Sequence, residues 1–393
     1  MRWAVDGLDR PVVCDPSCGG GAFLLEAARR TDRLVAIDVD PLAVAVTEAA
    51  LLLATGRRPV TMVGDALLDE WPAEVDAVVG NPPFLSQLRS ATVRDRERAA
   101  ALGATGYVDE SALFLVAAAR RAGRVALLQP ESVVASAGAA AVREELAGRV
   151  ERIWVPDRPL FDAAVRVVGV VVGPGGGAVT DWAALLADAR GVPEVALADD
   201  HGTLGERCTV TAGFRDEYYG LGPFVREGEG APLITAGLID PNRCRWGEVP
   251  ARYGKQRWER PGVVGDRDVV PKVLVATQTR VVEAFADEDG TCVPCTPVIS
   301  VVPHDLPLRH ALAVLLAPPV SAWALRRSVG TALSGDAIKL SARQVRSIPL
   351  PAPSPSWDVA ADLLRDGDLV GAGRAMGDAY GCDVLDWWEA RLP

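Results

Sequence analysis

The sequence predicts an α/β fold whose core is a mostly parallel, doubly wound sheet, and three observations support this prediction. Across residues 11–173, short β-branched runs alternate with helical stretches rich in Ala and Leu, which is the pattern of parallel strands joined by helical crossovers. A glycine-rich loop follows the first run, and an aspartate ends or closely follows each of the first three runs. Because open α/β sheets bind ligands at the carboxyl ends of their strands, the fold class already locates a candidate site.

Each element is predicted from its own pattern of apolar residues. The predicted strands are Val12–Asp15, Leu34–Ile37, Thr61–Val63, Ala77–Val79, Val125–Gln129, Arg152–Val155 and Val165–Val172. The predicted helices are Phe23–Arg30, Pro41–Thr55, Ser111–Ala122 and Ala139–Ala147. The run Gly173–Gly177 is a flexible breaker that marks the end of this region.

The chain is predicted to divide into two domains and a tail. Its 393 residues exceed one typical domain, and residues 1–175 contain the α/β alternation. Residues 180–352 carry more Trp, Pro and Gly with irregular short strands, which indicates a second, mixed α+β domain. A Pro-rich segment at residues 349–357 leads into a helical tail that spans residues 353–393.

The composition excludes several classes of protein. No apolar run approaches the ~18–20 residues of a membrane span, and the N-terminus lacks the features of a signal peptide. A soluble, cytoplasmic protein without a membrane partner is therefore expected. Seven scattered cysteines indicate a reducing compartment rather than a disulfide framework. The pair Cys292 and Cys295 lacks the further ligands of a structural zinc site, so no metal is expected.

The glycine-rich loop runs from Asp15 through Cys18, Gly19 and Gly21 to Phe23, and it is a candidate cofactor site. Glycine lets backbone N–H groups approach a ligand because no Cβ stands in the way.

Two further aspartates extend this candidate site. Asp38, 19 residues after Gly19, can accept the ribose hydroxyls of an adenosine-bearing cofactor, and Asp65 can meet its adenine ring. The main rival is a dinucleotide-binding fold, but Leu24 stands where that fingerprint needs its third glycine. For Asp38 and Asp65, the alternative is a helix N-cap after each strand.

The fourth strand ends in Asn81-Pro82-Pro83-Phe84, the most informative tetrapeptide in the chain. An amino group conjugated to a purine ring is a poor nucleophile, because its lone pair is delocalised. The Asn81 side-chain oxygen and the Pro82 backbone oxygen could accept its two N–H bonds and favour a pyramidal nitrogen, with the prolines fixing both acceptors. Phe84 offers a ring face on which a flipped base can stack. A strand terminator followed by a core Phe would explain the prolines and Phe84 but not the polar Asn81.

The order of these motifs (DPSCGGGAF, AIDVDP, GDAL, NPPF and LLQPES) resembles the gamma class of DNA adenine-N6 methyltransferases over residues 11 to about 172. The resemblance implies a Rossmann-like, S-adenosylmethionine-dependent methyltransferase sheet in residues 1–175 and a target-recognition domain in residues 180–352. It implies that S-adenosylmethionine is held by Asp15, Cys18, Gly19, Gly21, Phe23, Asp38 and Asp65. It also implies that Asn81, Pro82 and Phe84 hold the target base, with Phe161 on its other side; a core position is the alternative for Phe161.

One departure from the class concerns the start of the chain. The class usually has a helix with a Thr-Pro element before its first motif, whereas about ten residues precede the first strand here. We therefore expect either further sequence upstream or an incomplete cofactor site that binds weakly.

The charge distribution bears on a nucleic-acid partner. The net charge of −11 opposes phosphate binding, although local patches decide it. Residues 242–260 hold six Lys and Arg against two Glu, interleaved with aromatic residues, and residues 321–346 hold five Lys and Arg against one Asp. A further candidate patch consists of Arg89, Arg94, Arg96 and Arg98. An ordinary solvated surface is the alternative for each patch.

These inferences predict a site-specific DNA adenine-N6 methyltransferase that acts on double-stranded DNA in restriction-modification or phage defence. Any restriction endonuclease or other defence protein would be a separate partner. Two alternatives stay open. The first is a methyltransferase that modifies a protein glutamine or guanine N2 of ribosomal RNA, since such enzymes also use the NPP[YF] motif. The second is a catalytically inactive DNA-recognition subunit.

Overall fold

The chain forms two compact units, Met1–Ala189 and Arg190–Pro393. The computed structural model describes residues 2–84, 109–158, 160–161, 166–174, 181–213, 220–265, 269–330 and 337–393. Each unit is described by itself below.

The first unit is built on a seven-stranded sheet with the order β3-β2-β1-β4-β5-β7-β6. Its strands are β1 (Val13–Asp15), β2 (Leu34–Asp38), β3 (Val60–Val63), β4 (Ala77–Gly80), β5 (Arg124–Pro130), β6 (Val150–Trp154) and β7 (Val167–Val172). Strands β1 to β5 are parallel, and β7 is antiparallel to both of its neighbours. The partial order β3-β2-β1-β4-β5 is that of a Rossmann sheet, which confirms the predicted fold class.

Helices pack against the strands of this sheet. They are α1 (Arg2–Val5), α2 (Ala22–Ala27), α3 (Pro41–Thr55), α4 (Glu110–Arg121), α5 (Ser132–Ala135), α6 (Ala140–Glu145) and α7 (Trp182–Ala189). The four predicted helices are present as α2, α3, α4 and α6. Helices α1, α5 and α7 are not among the predictions, because elements of four to eight residues show too little periodicity to be read from sequence.

The core beneath the glycine loop fixes where that loop begins and ends. Val13 of β1, Ala36 of β2 and Val79 of β4 are fully buried against Leu24 and Leu51 from α2 and α3. Burying such aliphatic side chains stabilises the folded state by about 1.5–3 kcal/mol each. The packing therefore holds the carboxyl ends of β1, β2 and β4 in a fixed register.

The second unit contains short strands grouped in small sheets. Its strands are β8 (Cys208–Ala212), β9 (Val225–Glu227), β10 (Ala231–Ile234), β11 (Ile239–Asp240), β12 (Arg243–Cys244), β13 (Ala251–Tyr253), β14 (Gln256–Trp258), β15 (Pro261–Val263), β16 (Lys272–Val275), β17 (Gln278–Thr279), β18 (Ala284–Asp287), β19 (Val293–Pro294), β20 (Ile299–Pro303) and β21 (Ile338–Lys339). Two four-stranded sheets have the orders β19-β10-β15-β9 and β18-β16-β20-β8. The irregular short strands predicted here are present.

Helices complete this unit. They are α8 (Leu204–Arg207), α9 (Leu308–Leu316), α10 (Pro318–Ser328), α11 (Ala342–Arg346), α12 (Pro355–Arg365), α13 (Leu369–Tyr380) and α14 (Leu385–Glu389). The sequence analysis did not identify α9 and α10, which are buried along most of their length. Within the described ranges, no single helix is long and apolar enough to span a membrane; α9 and α10 pass that test only as a pair, bent by 57°.

A buried ion pair connects two strands of this unit. Lys272 Nζ of β16 lies 2.7 Å from Asp287 Oδ2 of β18, and both side chains are about 95% buried. The Asp287 carboxylate also accepts hydrogen bonds from the backbone N–H groups of Thr291 and Cys292. Because a buried charge is costly unless it is fully bonded, these contacts hold the β18–β19 turn in one conformation.

Candidate active site

The predicted site residues of the first unit lie at the carboxyl ends of β1, β2 and β4. From β1 the chain builds the sheet in one direction with β2 and β3, and it then returns to the other side of β1 to add β4 and β5. This is the topological switch point, where doubly wound sheets leave a crevice for a ligand.

Backbone hydrogen bonds hold the glycine loop against β2. Cys18 N donates to Ile37 O at 2.9 Å, and Gly21 N donates back to Cys18 O at 2.8 Å. Thr47 Oγ1, from α3, donates to Gly19 O at 2.8 Å. The loop is therefore bonded to a neighbouring strand and to a helix, and its conformation does not depend on a ligand.

Glycine is required at one position of this loop for two reasons. Gly21 has a φ of +81°, in the left-handed region that side chains rarely adopt. A Cβ at Gly21 would lie 3.1 Å from two side-chain atoms of Thr47. The backbone at Gly21 therefore packs so close to Thr47 that a larger residue would have to displace the Thr47 side chain.

Asp38 retains the capacity to bind a ribose. Its Oδ2 accepts a hydrogen bond from Gly19 N at 2.9 Å, and its Oδ1 accepts one from Asp40 N at 3.0 Å. Each carboxylate oxygen can accept a second bond, so two hydroxyl groups can still be held. The N-cap of α3 is Asp40, which accepts from Leu42 N; the N-cap alternative for Asp38 is therefore wrong.

Asp15 is a buried acid at the base of the loop. It is 1% exposed, and its Oδ1 accepts a hydrogen bond from Ser17 N at 3.1 Å. Burial, opposed by the Ser17 bond and reinforced by the negative charge of Asp38, raises the pKa of Asp15 to about 7. A nearby cation, such as an ammonium group, would favour the ionised form of this carboxyl.

The other predicted cofactor residues have more ordinary surroundings. Asp65 is 1% exposed, and its Oδ1 accepts from Leu67 N at 3.1 Å within a turn; the residues that follow form no helix, so Asp65 is not a helix N-cap. Cys18 is buried, and burial raises the pKa of its thiol to about 11, so it stays neutral at physiological pH. Phe23 is partly buried and packs against the core below the loop.

Asn81 carries an unsatisfied acceptor directly after β4. Its Oδ1 atom is buried and has no hydrogen-bond partner among the residues that the structure describes. Leaving a buried acceptor unpaired costs about 1–3 kcal/mol. Such an atom therefore indicates a position where a ligand could donate a hydrogen bond. The adjoining Pro82 is buried, and Pro83 is exposed.

Two aromatic rings from distant parts of the sequence meet beside this motif. The ring centroids of Phe84 and Phe161 are 6.2 Å apart, with an angle of 74° between the ring planes. Both side chains are half-buried rather than enclosed in the core. The structure thus brings together the two residues that the sequence predicts to flank one base.

Four further residues belong to the site and were not predicted from sequence. Thr47 holds the loop, and Ser17 has a buried Oγ without a partner among the described residues. Val39, directly after Asp38, is 55% exposed and offers an apolar surface to a planar ring. A Cβ at Gly80 would lie 2.6 Å from Asp15 Oδ1, so only glycine leaves that carboxylate in place. Of the four, Val39 alone carried a sequence signal, its position after Asp38.

Several predicted residues lie outside the described part of the chain. They are the arginines of the patch Arg89, Arg94, Arg96 and Arg98, and part of the basic segment at residues 321–346. Within the described residues, no group of three or more His, Cys, Asp or Glu side chains could hold a metal ion.

Comparison with known proteins identifies the class of the first unit. A family model described as the methyltransferase small domain matches residues 5–127. No curated protein sequence matches the chain.

Three solved structures illustrate the similarity of fold. A Listeria monocytogenes protein described as a class I S-adenosylmethionine-dependent methyltransferase is 19% identical over 46% of this chain and 58% of its own, with a TM-score of 0.38. The type IIG restriction endonuclease BpuSI is 13% identical over 98% and 63%, with a TM-score of 0.45. A modification subunit of a type I restriction enzyme from Vibrio vulnificus is 21% identical over 42% and 40%, with a TM-score of 0.33. The chain thus spans less than two thirds of each of these proteins.

The site fits the cofactor that this class of domain uses. The loop supplies backbone N–H groups, Asp38 has free acceptor capacity for a ribose, Asp15 can pair with the ammonium group of a methionine moiety, and Val39 can pack on adenine. S-adenosylmethionine is therefore the cofactor, and the first unit is an S-adenosylmethionine-dependent methyltransferase domain.

Proposed function

We propose that this protein is a site-specific DNA methyltransferase that modifies the exocyclic N6 amine of adenine. The observation that carries the proposal is the buried Asn81 Oδ1 at the carboxyl end of β4, which has no hydrogen-bond partner among the described residues. The Pro82 carbonyl, the second acceptor, is the next in the chain. An aryl amine has two N–H bonds to donate, and this pair of acceptors matches them.

The chemistry follows from the positions of these acceptors. When bound, S-adenosylmethionine would supply an electrophilic methyl group, with its positively charged sulfur leaving as a neutral thioether. Asn81 Oδ1 and Pro82 O would each accept one N–H bond and draw the adenine nitrogen toward a pyramidal geometry. The lone pair, freed from conjugation with the ring, could then attack the methyl carbon, and the methylated nitrogen would release one of its two protons to solvent. Fixed acceptors of this kind need no reorganisation during the reaction.

The target base must leave the duplex before it can reach this site. Phe84 and Phe161 would receive it: their rings are partly exposed and in edge-to-face contact, and a base that stacks between them would have to separate them. Stacking on aromatic side chains contributes about 1–3 kcal/mol per base. That gain would offset part of the cost of unpairing.

Transfer of a labelled methyl group tests the proposal. The wild-type protein should transfer it from S-adenosylmethionine to adenine N6 of duplex DNA, and Asn81→Ala should lower the rate by about 10²–10³-fold, as for other fixed polar groups in active sites. Cofactor binding, measured by calorimetry, should be unchanged in the variant, because Asn81 makes no contact with the glycine loop in the proposed arrangement. An Asn81→Ala variant as active as the wild type would contradict the proposed role.

Two other functions give different results in the same assays. Transfer to protein glutamine or to guanine N2 of ribosomal RNA, but not to DNA, would replace the proposed substrate. An absence of cofactor binding, with binding of DNA retained, would indicate a catalytically inactive recognition subunit.

We further propose that the biological context is restriction-modification or phage defence, with an endonuclease or other defence protein as a separate partner. DNA from cells that express the chain should then resist one sequence-specific nuclease. Long-read sequencing of that DNA would show one recurrent methylated sequence.

A further inference from the structure

We propose that the hairpin β13–β14 of the second unit contacts the phosphate backbone of double-stranded DNA through Arg252, Lys255 and Arg257. The inference rests on the proposed function, because it names the element of the second unit that would hold the substrate. Three observations support it. The hairpin has one buried and one exposed face, its two arginines lie opposite each other across the strands, and three carboxylates that precede it are bonded to other groups.

The hairpin has one apolar face and one basic face. Ala251 and Tyr253 are buried, and each packs in a hydrophobic cluster of the second unit. Trp258, opposite Ala251 in the register, packs on the same side. Because side chains alternate between the faces of a strand, Arg252 and Arg257 point to the other side, where both are exposed.

Arg252 and Arg257 are directly opposite each other across the two strands. Like charges in this position destabilise an antiparallel pair, so the hairpin would be more stable with a neutral residue at either place. Between them the chain turns in two residues, Gly254 and Lys255, with a φ of +62° at Gly254. A tight turn of this kind presents Lys255 at the tip, next to the two arginines.

Three carboxylates in the segments that precede this hairpin are already engaged. Glu248 is paired with Arg243, and Asp240 lies 3.5 Å from Arg245. Glu227 accepts hydrogen bonds from two backbone N–H groups.

The cationic side chains at the hairpin are therefore not paired with these three carboxylates. In the part of the chain that the structure describes, Arg252, Lys255 and Arg257 form no ion pair. Glu259, just beyond the hairpin, is the acidic side chain that dilutes this charge. Three closely spaced cations on a protein with a net charge of −11 are complementary to a polyanion, and the outer face of a hairpin can follow a phosphate backbone.

The salt dependence of DNA binding tests this inference. Fluorescence anisotropy with a labelled duplex, from about 50 to 200 mM salt, gives the slope of log K against log[salt], and each phosphate contact contributes about −0.9 to it. Arg252→Ala/Arg257→Ala should reduce the slope by about 2 and weaken binding. The control Arg365→Ala/Arg374→Ala removes the same charge from helices α12 and α13 of the same unit, and it should bind like the wild type.

Thermal unfolding separates a binding role from a structural one. Because the variant removes two opposed like charges, its melting temperature should equal or exceed that of the wild type. Lower stability together with weaker binding would overturn the proposal, since the arginines would then support the fold.

The outcomes also distinguish this inference from the proposed function. If the wild type binds DNA and the double variant keeps its affinity and slope, the hairpin is not the contact, while the methyltransferase proposal stands. If the wild type binds RNA but not duplex DNA, both proposals are wrong.

Discussion

At the scale of single residues, polar groups buried at strand ends define the site. Asn81 Oδ1 and Ser17 Oγ have no partner among the described residues, and Asp15 is fully enclosed. Each arrangement is costly in a protein that binds nothing, because burial removes water without providing a replacement bond. The first unit thus carries a local cost at the place where a ligand would remove it.

Asp15 makes the stability of the cofactor-free protein depend on pH. Its pKa is raised from 3.8 to about 7 in the folded state, mainly by burial. The folded state therefore retains a proton that the unfolded state has lost. The stabilisation is complete below about pH 4 and is lost as the pH rises through about 7.

The variant Asp15→Asn should remove this dependence. Relative to the wild type, its free energy of unfolding should rise between pH 4 and pH 7 by up to about 4 kcal/mol, since one pKa unit corresponds to about 1.4 kcal/mol. Urea unfolding of both proteins at a series of pH values measures the difference. A difference that stays constant with pH would show that Asp15 titrates normally.

At the scale of elements, the glycine loop is held by α3 as much as by its own sequence. The Thr47 hydroxyl bonds to Gly19 O, and the Thr47 side chain leaves no room for a Cβ at Gly21. Helix α3 itself is positioned by its N-cap Asp40 and by Gly56, which ends it in the left-handed conformation. The conformation of the loop is thus a property of the β1–α2–β2–α3 segment.

Two glycine substitutions in this loop should have different effects. Gly21→Ala should lower the free energy of unfolding by about 1–3 kcal/mol, because it adds both a strained φ and a close contact. Gly20→Ala is the matched control, since its φ is unstrained and no atom lies within 4 Å of the added Cβ; it should change stability by less than about 0.5 kcal/mol. Equal losses in the two variants, measured by denaturant unfolding without cofactor, would contradict this account.

At the scale of the whole molecule, the net charge and the local charge of the proposed DNA contact have opposite signs. The net charge is −11, yet the outer face of one hairpin carries arginines without carboxylate partners among the described residues. Overall charge therefore gives little information about the partner of such a protein, whereas the distribution of charge gives much more.

Cofactor binding should be visible in the stability of the protein as a whole. S-adenosylmethionine at about 100 times its Kd should stabilise the wild type by about 2.7 kcal/mol. Asp38→Ala should lose most of the corresponding rise in melting temperature, because it removes the ribose acceptor. Asp32→Ala changes an aspartate near the opposite end of β2, paired there with Arg10, and should retain the rise. If the cofactor shifts Asp38→Ala as far as the wild type, the ribose role is wrong.

The sequence by itself determined the architecture of the first unit and the position of its site. All seven strands of the sheet lie within two residues of their predicted bounds. For the buried strands β1, β2, β4 and β7 the reason is that they are short, nearly continuous apolar runs. The second unit was predicted less completely: the sequence indicated irregular short strands there but not the two buried helices α9 and α10.

Tertiary structure alone decided which atoms of the site are free and which are engaged. No pattern in the sequence shows that Phe84 meets Phe161 or that Gly80 leaves room for Asp15. Each of these depends on contacts between residues far apart in the chain. Hydrogen bonding and packing are pairwise and three-dimensional, whereas sequence patterns report only the local preference of each segment.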